Sequence, residues 1–417
     1  MAAGIDVREP ADEDELRRAW TMLSESFNWP RADADKWLAN IGPLERCRVA
    51  MTTGAGDRGG QVAAFSRVRP FGQFFGGRSI PMAGYSPVGV GAEFRGRGLA
   101  SVITADHYPV LRERGEVLAG LYPATTRLYR SVGFELGAVW SERRFPIRSL
   151  QLIPPASGVA VRRAQREDMP AIQDCYAAHA ATHPGWLERP AVWWHRILEE
   201  VWDDRYVFVI DAEGGGIAGY IVYRQSADPD RHFGYRINVV DLVADEVEVA
   251  VALWRLVGSA SSLVDTVTVL GPPEHPLLFL LREQDIEPVQ EIRYMLRVVD
   301  AAGAVARRGF PPISVTVGLE ITDHDCDWNA GRWQLVIEEG NGRLVKSRGR
   351  SGATRSGGRG AGADVGITVN GFASLFSGYA SARTLARAGL LTGAGDRELA
   401  ALDAAFSGPT PWLPDFF

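Results

Sequence analysis

In SPVGVGAEFRGRGLASVI, residues 86–103, an apolar strand ending at Val90 feeds a glycine-bearing turn that opens a helix. Backbone amides at such a junction point outward together, and with the first helical turn they form a cradle for phosphate. Arg95, Gly98 and Ala100 are the candidate residues. Their Arg-x-x-Gly-x-Gly/Ala spacing recurs at Arg255, Gly258 and Ala260, and at Arg355, Gly358 and Gly360, so spacing alone selects nothing. Context does: only the first copy follows a strand pattern and precedes a helical one, whereas the second falls inside a helix and the third inside a basic loop. Other groups fit known chemistry less well. His179 and His183 have the i, i+4 spacing of helix-borne metal ligands, but Pro184 ends that helix and no acidic partner follows. Asp323-His324-Asp325-Cys326-Asp327 reads as a polar turn between strands, so no metal is expected. Neither a Gly-x-Ser-x-Gly elbow nor a Walker loop occurs.

The elements around the phosphate-binding candidate follow from periodicity. Asp12 and Glu15 have capping-box spacing, and Leu16, Trp20, Leu23 and Phe27 share one helical face, so a helix runs to about Asn28. Residues 46–53, 61–69 and 79–91 read as strands separated by glycine-rich turns at 54–60 and 72–77. Residues 98–107 are helical until Pro109 breaks the pattern, 117–122 form a short apolar strand, and 126–132 a short helix ending at Gly133. A second segment from Val159 weakly echoes this plan, with paired strands at 205–210 and 216–223, a helix at 247–263 and further apolar runs at 267–270, 277–281 and 294–299, which suggests an internal duplication. The third segment, from about Asp300, has a short helix, strands at 313–321, 331–338 and 364–369, helices at 371–379 and 382–388, and an aromatic tail, PTPWLPDFF.

Length and composition bound the class. The chain's 417 residues predict two to three domains, and 46% apolar residues can give each a core. No apolar run approaches the ~18 residues a bilayer span needs. The N-terminus carries acidic residues where a signal peptide would be basic, so a cytoplasmic location and no membrane partner are expected. Three widely spaced cysteines, Cys47, Cys175 and Cys326, argue for reduced thiols. A net charge of −6 argues against a nucleic-acid partner; the basic, glycine-rich stretch 343–359 reads as a flexible surface loop.

About thirty residues beyond the first loop, YPATTRLYRSVGFELG adds a strand, a short helix with Leu128-Tyr129, and Gly133-Phe134-Glu135. Together with the Arg95 loop this resembles the GNAT superfamily of acetyltransferases, and more narrowly the enhanced intracellular survival (Eis) acetyltransferases. The resemblance covers essentially the whole chain. It implies an α/β (α+β) architecture of tandem GNAT folds, mixed central sheets flanked by helices, and a C-terminal sterol carrier protein-like domain. The expected division is a catalytic domain at 1–148, a linker at 149–158, a degenerate GNAT-like domain at 159–299, and the sterol carrier-like domain at 300–417. It also implies an acetyl-CoA-dependent N-acetyltransferase assembled as a homohexamer, acting on primary amines of a small molecule by direct attack. An aminoglycoside-like acceptor is one candidate.

By position, the resemblance makes Val88 and Val90 backbone donors to the acetyl carbonyl and pantetheine arm, while Arg95, Gly96, Arg97 and Gly98 cradle the pyrophosphate. Tyr129 would be the general acid for the departing thiolate, and the terminal carboxylate of Phe417 the general base. The sequence departs from the family in places. Ala92 replaces a common proline, and Gly96 an arginine of the loop, which removes one cation. Trp29 and Phe416 stand where aminoglycoside-acetylating relatives have acidic residues, with Asp33, Asp35 and Asp415 near enough in sequence to compensate. Phe27, Trp29, Trp37, Phe71, Phe74, Phe75 and Phe416 are the aromatics expected to line an acceptor pocket. The rival expectation is a non-catalytic protein that holds an apolar ligand in the sterol carrier-like domain.

Overall fold

A computed structural model of the chain describes residues 4–53, 60–229, 232–283, 285–347 and 365–417. The third Arg-x-x-Gly copy, the expected turn at 54–60 except for Gly60, and most of the basic loop lie outside the described residues.

The first segment runs β1 (Ile5–Arg8), α1 (Glu13–Phe27), α2 (Ala34–Ala39), β2 (Cys47–Thr52), β3 (Val62–Phe75), β4 (Arg78–Val90), α3 (Leu99–Ala105), α4 (Tyr108–Glu113), β5 (Leu118–Leu121), α5 (Thr126–Arg130) and β6 (Glu135–Pro146). After a short α6 (Arg148–Gln151), the second has β7 (Val161–Arg163), α7 (Met169–Thr182), β8 (Leu187–Glu188), α8 (Ala191–Trp194), β9 (Tyr206–Asp211), β10 (Ile217–Ala227), β11 (Tyr235–Ala244), α9 (Val247–Gly258), β12 (Thr266–Leu270), α10 (Leu277–Leu280) and β13 (Glu287–Val298). The third contains α11 (Ala301–Arg307), β14 (Val315–Thr322), β15 (Gly331–Glu338), β16 (Asn341–Lys346), β17 (Val365–Thr368), α12 (Val369–Ser377), α13 (Ala382–Arg387), β18 (Leu391–Thr392) and α14 (Asp396–Ala405).

Helix α1 starts where the sequence signals it: the Asp12 carboxylate accepts from Glu15 N–H at 2.9 Å, satisfying one of the orphan amides of the first turn. Glu15 does not close the box. Its carboxylate accepts from Ala11 N–H and from Arg8, whose guanidinium holds it down to about 2. Four expected boundaries shift. Gly72 is inside β3, paired with Pro81, and is glycine because a Cβ there would sit 2.1 Å from Ser79 Oγ and 2.4 Å from Glu188 of β8; the turn is made by Gly76 and Gly77. Pro109 opens α4 rather than ending a helix, since an N–H is dispensable in a first turn. Helix α9 ends at Gly258, and Arg343 begins no loop but pairs with Val336 in the β15–β16 hairpin.

The first two segments share one thirteen-stranded sheet, in the order β1-β2-β3-β4-β5-β13-β6-β12-β11-β10-β9-β7, with β8 paired to β3. Each half gives its last strand to the other. β13 lies between β5 and β6, while β6 pairs with β12. Both halves contain one parallel pair, β4 with β5 and β11 with β12. The third segment forms a separate five-stranded sheet. Its buried face, with Leu319, Leu335, Phe372 and Phe376, continues into the core of the first segment through Phe75 and Leu118, and onto Leu296 of the inserted β13.

Candidate active site

Strands β4 and β5 pair over three residues only, Met82–Gly84 with Leu118–Gly120. Beyond Gly84 they part, while β4 continues to Val90 along β3. A bulge faces Arg67 here, and the Ser86–Pro87 peptide is cis. Gly91 N–H donates to Ala63 C=O on β3. Amides alternate along a strand, so Gly89 N–H turns the same way and those of Val88 and Val90 turn toward the gap.

The loop from Gly91 to Gly98 then leads into α3. Gly96 and Gly98 have φ of +76° and +75°, and a Cβ on either would meet nothing within 4 Å. They are glycines for backbone reasons, and the space around them is open. Gly98 N-caps α3 with no side chain bonded to the first amides, which remain available. Arg95 is exposed and has no hydrogen-bond or ion-pair partner among the described residues. Arg97 lies over the Phe94 ring at 5.4 Å and reaches Glu93 C=O at 3.2 Å; Ala100 is half-buried behind Leu99.

Tyr129 of α5 is buried against Phe134, with ring centroids 5.9 Å apart, in the same apolar cluster as Val88. Burial alone pushes its phenol up to about 12, so it stays protonated across the physiological range.

The far end of the chain enters the same fork from the other face. Gly84 and Gly120 are register partners, and neither has room for a Cβ. At Gly84 it would lie 2.7 Å from the Phe417 ring and 2.9 Å from Phe71; at Gly120, 1.5 Å from the Tyr294 hydroxyl. Phe417 is 8% exposed and packs on Phe71, Tyr122 and Tyr294. Phe416 is half exposed and stacks on Tyr122 at 4.4 Å, whose hydroxyl donates to Asp415 C=O at 2.6 Å. The preceding tail occupies a free stretch of β6: β12 pairs with β6 only from Glu142 to Pro146, and Val139 exchanges backbone bonds with Pro411 and Leu413.

Asp415 does not compensate for a missing acid in the acceptor pocket. Its carboxylate is buried and accepts from Arg189 Nε (3.0 Å), Trp193 Nε1 (2.8 Å) and Tyr176 Oη (3.4 Å), all in the second half. Arg189 also donates to Asp241 at 2.6 Å, as does Tyr220 at 2.9 Å, and its guanidinium lies over Tyr176 at 3.9 Å. Asp35 is exposed and pairs with Arg17, and Asp33 is exposed.

The expected aromatic pocket divides. Phe27 and Trp29 stack at 4.7 Å, both somewhat over one-third exposed, and Phe27 reaches over Gly89 of β4. Trp37 packs beneath them on Trp20 and Phe65. Phe71 and Phe416 belong to the tail side of the fork. Phe74 belongs instead to the core of the second half and Phe75 packs on Phe376, because a strand crossing two domains spends its far residues on each neighbour. Sequence reasoning missed Gly84, Gly120, Arg189 and Asp241; the two strand-interior glycines were the available signal, since such glycines mark a close approach. His179 bonds Asp245 through Nδ1 at 2.5 Å and stacks on His183; among the described residues no group of three metal-ligating side chains occurs. The three cysteines are free.

A forked sheet with outward amides, feeding an open glycine loop at a helix start, is the architecture of an acyl-CoA-dependent acyltransferase. Models of the acetyltransferase (GNAT) domain match residues 7–137 and 185–298, and one of the sterol carrier protein domain matches 301–414. The GCN5-related N-acetyltransferase of Kribbella flavida is 30% identical over the full length of both chains, with a TM-score of 0.83. The chain belongs to the GCN5-related N-acetyltransferase family and is an N-acetyltransferase with a C-terminal sterol carrier protein domain. An N-acetyltransferase of Streptomyces coelicolor is 27% identical, covering 99% of this chain and 94% of its own. N-acetyltransferase Eis of Mycobacterium tuberculosis is 25% identical, covering 80% and 79%.

Proposed function

We propose that the chain transfers the acetyl group of acetyl-CoA to a primary amine of a small-molecule acceptor at the β4–β5 fork. The observation that carries this reading is the convergence on one fork of the Val88 and Val90 amides, the open Gly96–Gly98 loop, Tyr129 and the Phe417 end of the tail. The division of labour follows: residues 1–148 hold the coenzyme, 159–299 brace the tail, and 300–417 deliver it.

Arg95, Arg97 and the loop amides take the pyrophosphate, as a helix start with free donors suits an anion. Val88 and Val90 N–H hold the pantetheine arm and the acetyl carbonyl. Attack by the amine nitrogen forms the N–C bond and places negative charge on the carbonyl oxygen, which a preorganised N–H stabilises. The C–S bond then breaks and the thiolate leaves toward Tyr129. A phenol at about 12 gives up its proton to a thiol anion of ordinary basicity only uphill, by about 3.5 pH units. Tyr129 therefore acts first as a hydrogen-bond donor to the developing thiolate. In this reading the α-carboxylate of Phe417 is the base: it positions the acceptor ammonium and takes its proton through a water.

The test is free-thiol release from acetyl-CoA with a panel of amines, for the chain as it stands and for one extended by a few residues past Phe417. Amine-dependent release that falls by about 100-fold or more on extension is expected. Replacing Arg95 by Ala raises the KM for acetyl-CoA about 10-fold, whereas Arg255→Ala, in the helical copy of the motif, leaves it unchanged. Release independent of any amine, or equal in both chains, sinks the reading.

A further inference from the structure

Three arginines face the acceptor side of the fork, and among the described residues none of them has a carboxylate in ion-pair contact, Glu200 lying near Arg196 alone. The register sets Arg69 of β3 opposite Gly84, so its side chain leaves the sheet on the face covered by Phe71 and Phe417. Arg67, two residues earlier, shares that face. It is buried, and its only partners among the described residues are carbonyls, Ser86 C=O at 2.8 Å from Nε and Asn40 C=O at 3.1 Å from Nη1. Arg69 is half-buried, makes no hydrogen bond among the described residues, and its Nε is wholly enclosed without an acceptor. Arg196 reaches in from the rim after α8, its guanidinium 5.0 Å above Trp193, which meets Phe71 edge-on at 5.4 Å.

Elsewhere, buried arginines hold acids: Arg48 has Asp106, Arg189 has Asp241 and Asp415, and Arg297 has Asp323. Arg308, caged by three phenylalanines, has carbonyls instead, but it stands alone. The trio is distinguished by like charge at close quarters, Arg67 feeling Arg69 and Arg196 and Arg69 feeling Arg196, with Glu200 acting on Arg196 only. Burial, then Arg69 and Arg196, bring Arg67 down to about 9; burial, then Arg196, bring Arg69 to about 10. Like charges gathered in a partly desolvated place need an anion. The pyrophosphate cannot serve, because its loop starts α3, and Tyr85, which neighbours Gly84 on β4, reaches α3 through Thr104 C=O from the opposite face.

We propose that Arg67, Arg69 and Arg196 form a subsite for an anionic group of the acceptor, so that the amine presented at the fork belongs to a carboxylate-bearing, amino acid-like molecule and not to a polyamine. This rests on the acetyl-transfer reading above. Arg69 and Arg196 supply charge-assisted donors to the carboxylate, Arg67 holds the local potential positive, and Phe71, Trp193 and Phe417 cover the carbon chain between.

The experiment compares 4-aminobutyrate, 4-aminobutanamide and 1,4-diaminobutane, matched in length and differing in charge at the far end, with chain lengths one carbon shorter and longer beside them. Thiol release from acetyl-CoA is measured for the intact protein, for Arg69→Gln and for Arg196→Gln at the rim, where folding is least at risk. Expected is a preference in kcat/KM of about 10- to 100-fold for the carboxylate over the amide, with the diamine last, and a collapse of that ratio toward one in either variant. A diamine or amide that equals the carboxylate overturns the subsite and leaves acetyl transfer standing. So does a ratio untouched by both variants, the result expected if the Phe417 carboxylate itself occupies the arginines. Binding of N-acetyl-4-aminobutyrate, followed by melting temperature against its amide, reads the subsite without turnover. Binding of that anion with no release from any amine upholds the subsite and sinks acetyl transfer.

Discussion

The chain contains the same fork twice, and the two copies have opposite fates. In the first, β4 outruns its partner by six residues and eight more, Gly91–Gly98, form an open glycine loop before α3. In the second, β11 pairs with β12 over Ile237–Val239 and runs on to Ala244, but only Asp245 and Glu246 separate it from α9. Two acidic residues and no glycine leave neither cradle nor positive charge for a phosphate. The second gap is instead filled from within. A cavity of about 80 Å³ there is lined by His179, Trp186, Asp241, Trp254, His275 and Trp412, the last belonging to the tail. Next to it, a cavity of about 170 Å³ touches Arg189, Trp193, Asp241, Asp415 and Phe416. The tail crosses the closed fork on its way to the open one. The two copies of the GNAT fold thus differ in what occupies the fork: an open glycine loop in one, and packed side chains that hold the chain's far end in the other.

The largest effect should come from filling the notch. Gly84→Val places carbon where the Phe417 and Phe71 rings now lie, so Phe417 must leave. Acetyl transfer should fall by about 100-fold or more, with an overpacking cost of about 1–3 kcal/mol, read as thiol release beside melting temperature. Full activity in a folded Gly84→Val protein would end the argument that the tail serves the fork.

The clamp in the second half separates next. Arg189→Met leaves Asp241 and Asp415 buried without a counter-charge, which costs about 3–5 kcal/mol. Asp241→Asn leaves one guanidinium to one carboxylate and keeps an acceptor for Tyr220, so its cost should be about 1 kcal/mol or less. Melting temperatures that rank the two variants the other way would break the assignment of Asp415 as the tail's anchor.

The smallest effect concerns acid. His275 lines the closed fork, and its Nδ1 accepts from Leu277 N–H at 3.0 Å; burial brings it down to about 4. The unfolded imidazole binds a proton at about 6.5. Above that pH both states are neutral and stability does not change; as pH falls from about 6.5 toward 4 the unfolded state alone gains the proton and stability declines, by about 1–3 kcal/mol. His275→Asn keeps an acceptor for Leu277 and should flatten this part of a melting-temperature profile. His107 in the first half, buried against Ser66 and pushed well down by burial, supplies a similar slope that the variant leaves in place.

Much of the open fork was legible in the chain. Strand, glycine turn and helix follow one another within eighteen residues, so local periodicity and the backbone freedom of glycine identify the loop without any tertiary contact. The α1 cap at Asp12 is likewise a matter of neighbours three apart. Long-range placements were not legible. Phe74 and Phe75 look like Phe71 in sequence, yet one strand carries Phe74 into the core of the second half, Phe75 onto Phe376 and Phe71 onto Phe417. Asp415 looks like a spare acid beside Phe416, and only the arrival of Arg189 from more than two hundred residues away makes it an anchor.

What the sequence determined by itself is therefore the glycine loop that opens α3, the duplicated order of elements and the aromatic character of the tail, because each is written in residues close together along the chain. The tertiary structure decided the exchange of β6 and β13, the Gly84–Gly120 notch that receives Phe417, and the gathering of Arg67, Arg69 and Arg196 on one face. These depend on which strands become neighbours and on which side each residue leaves the sheet, and a single step of register reverses the second of those.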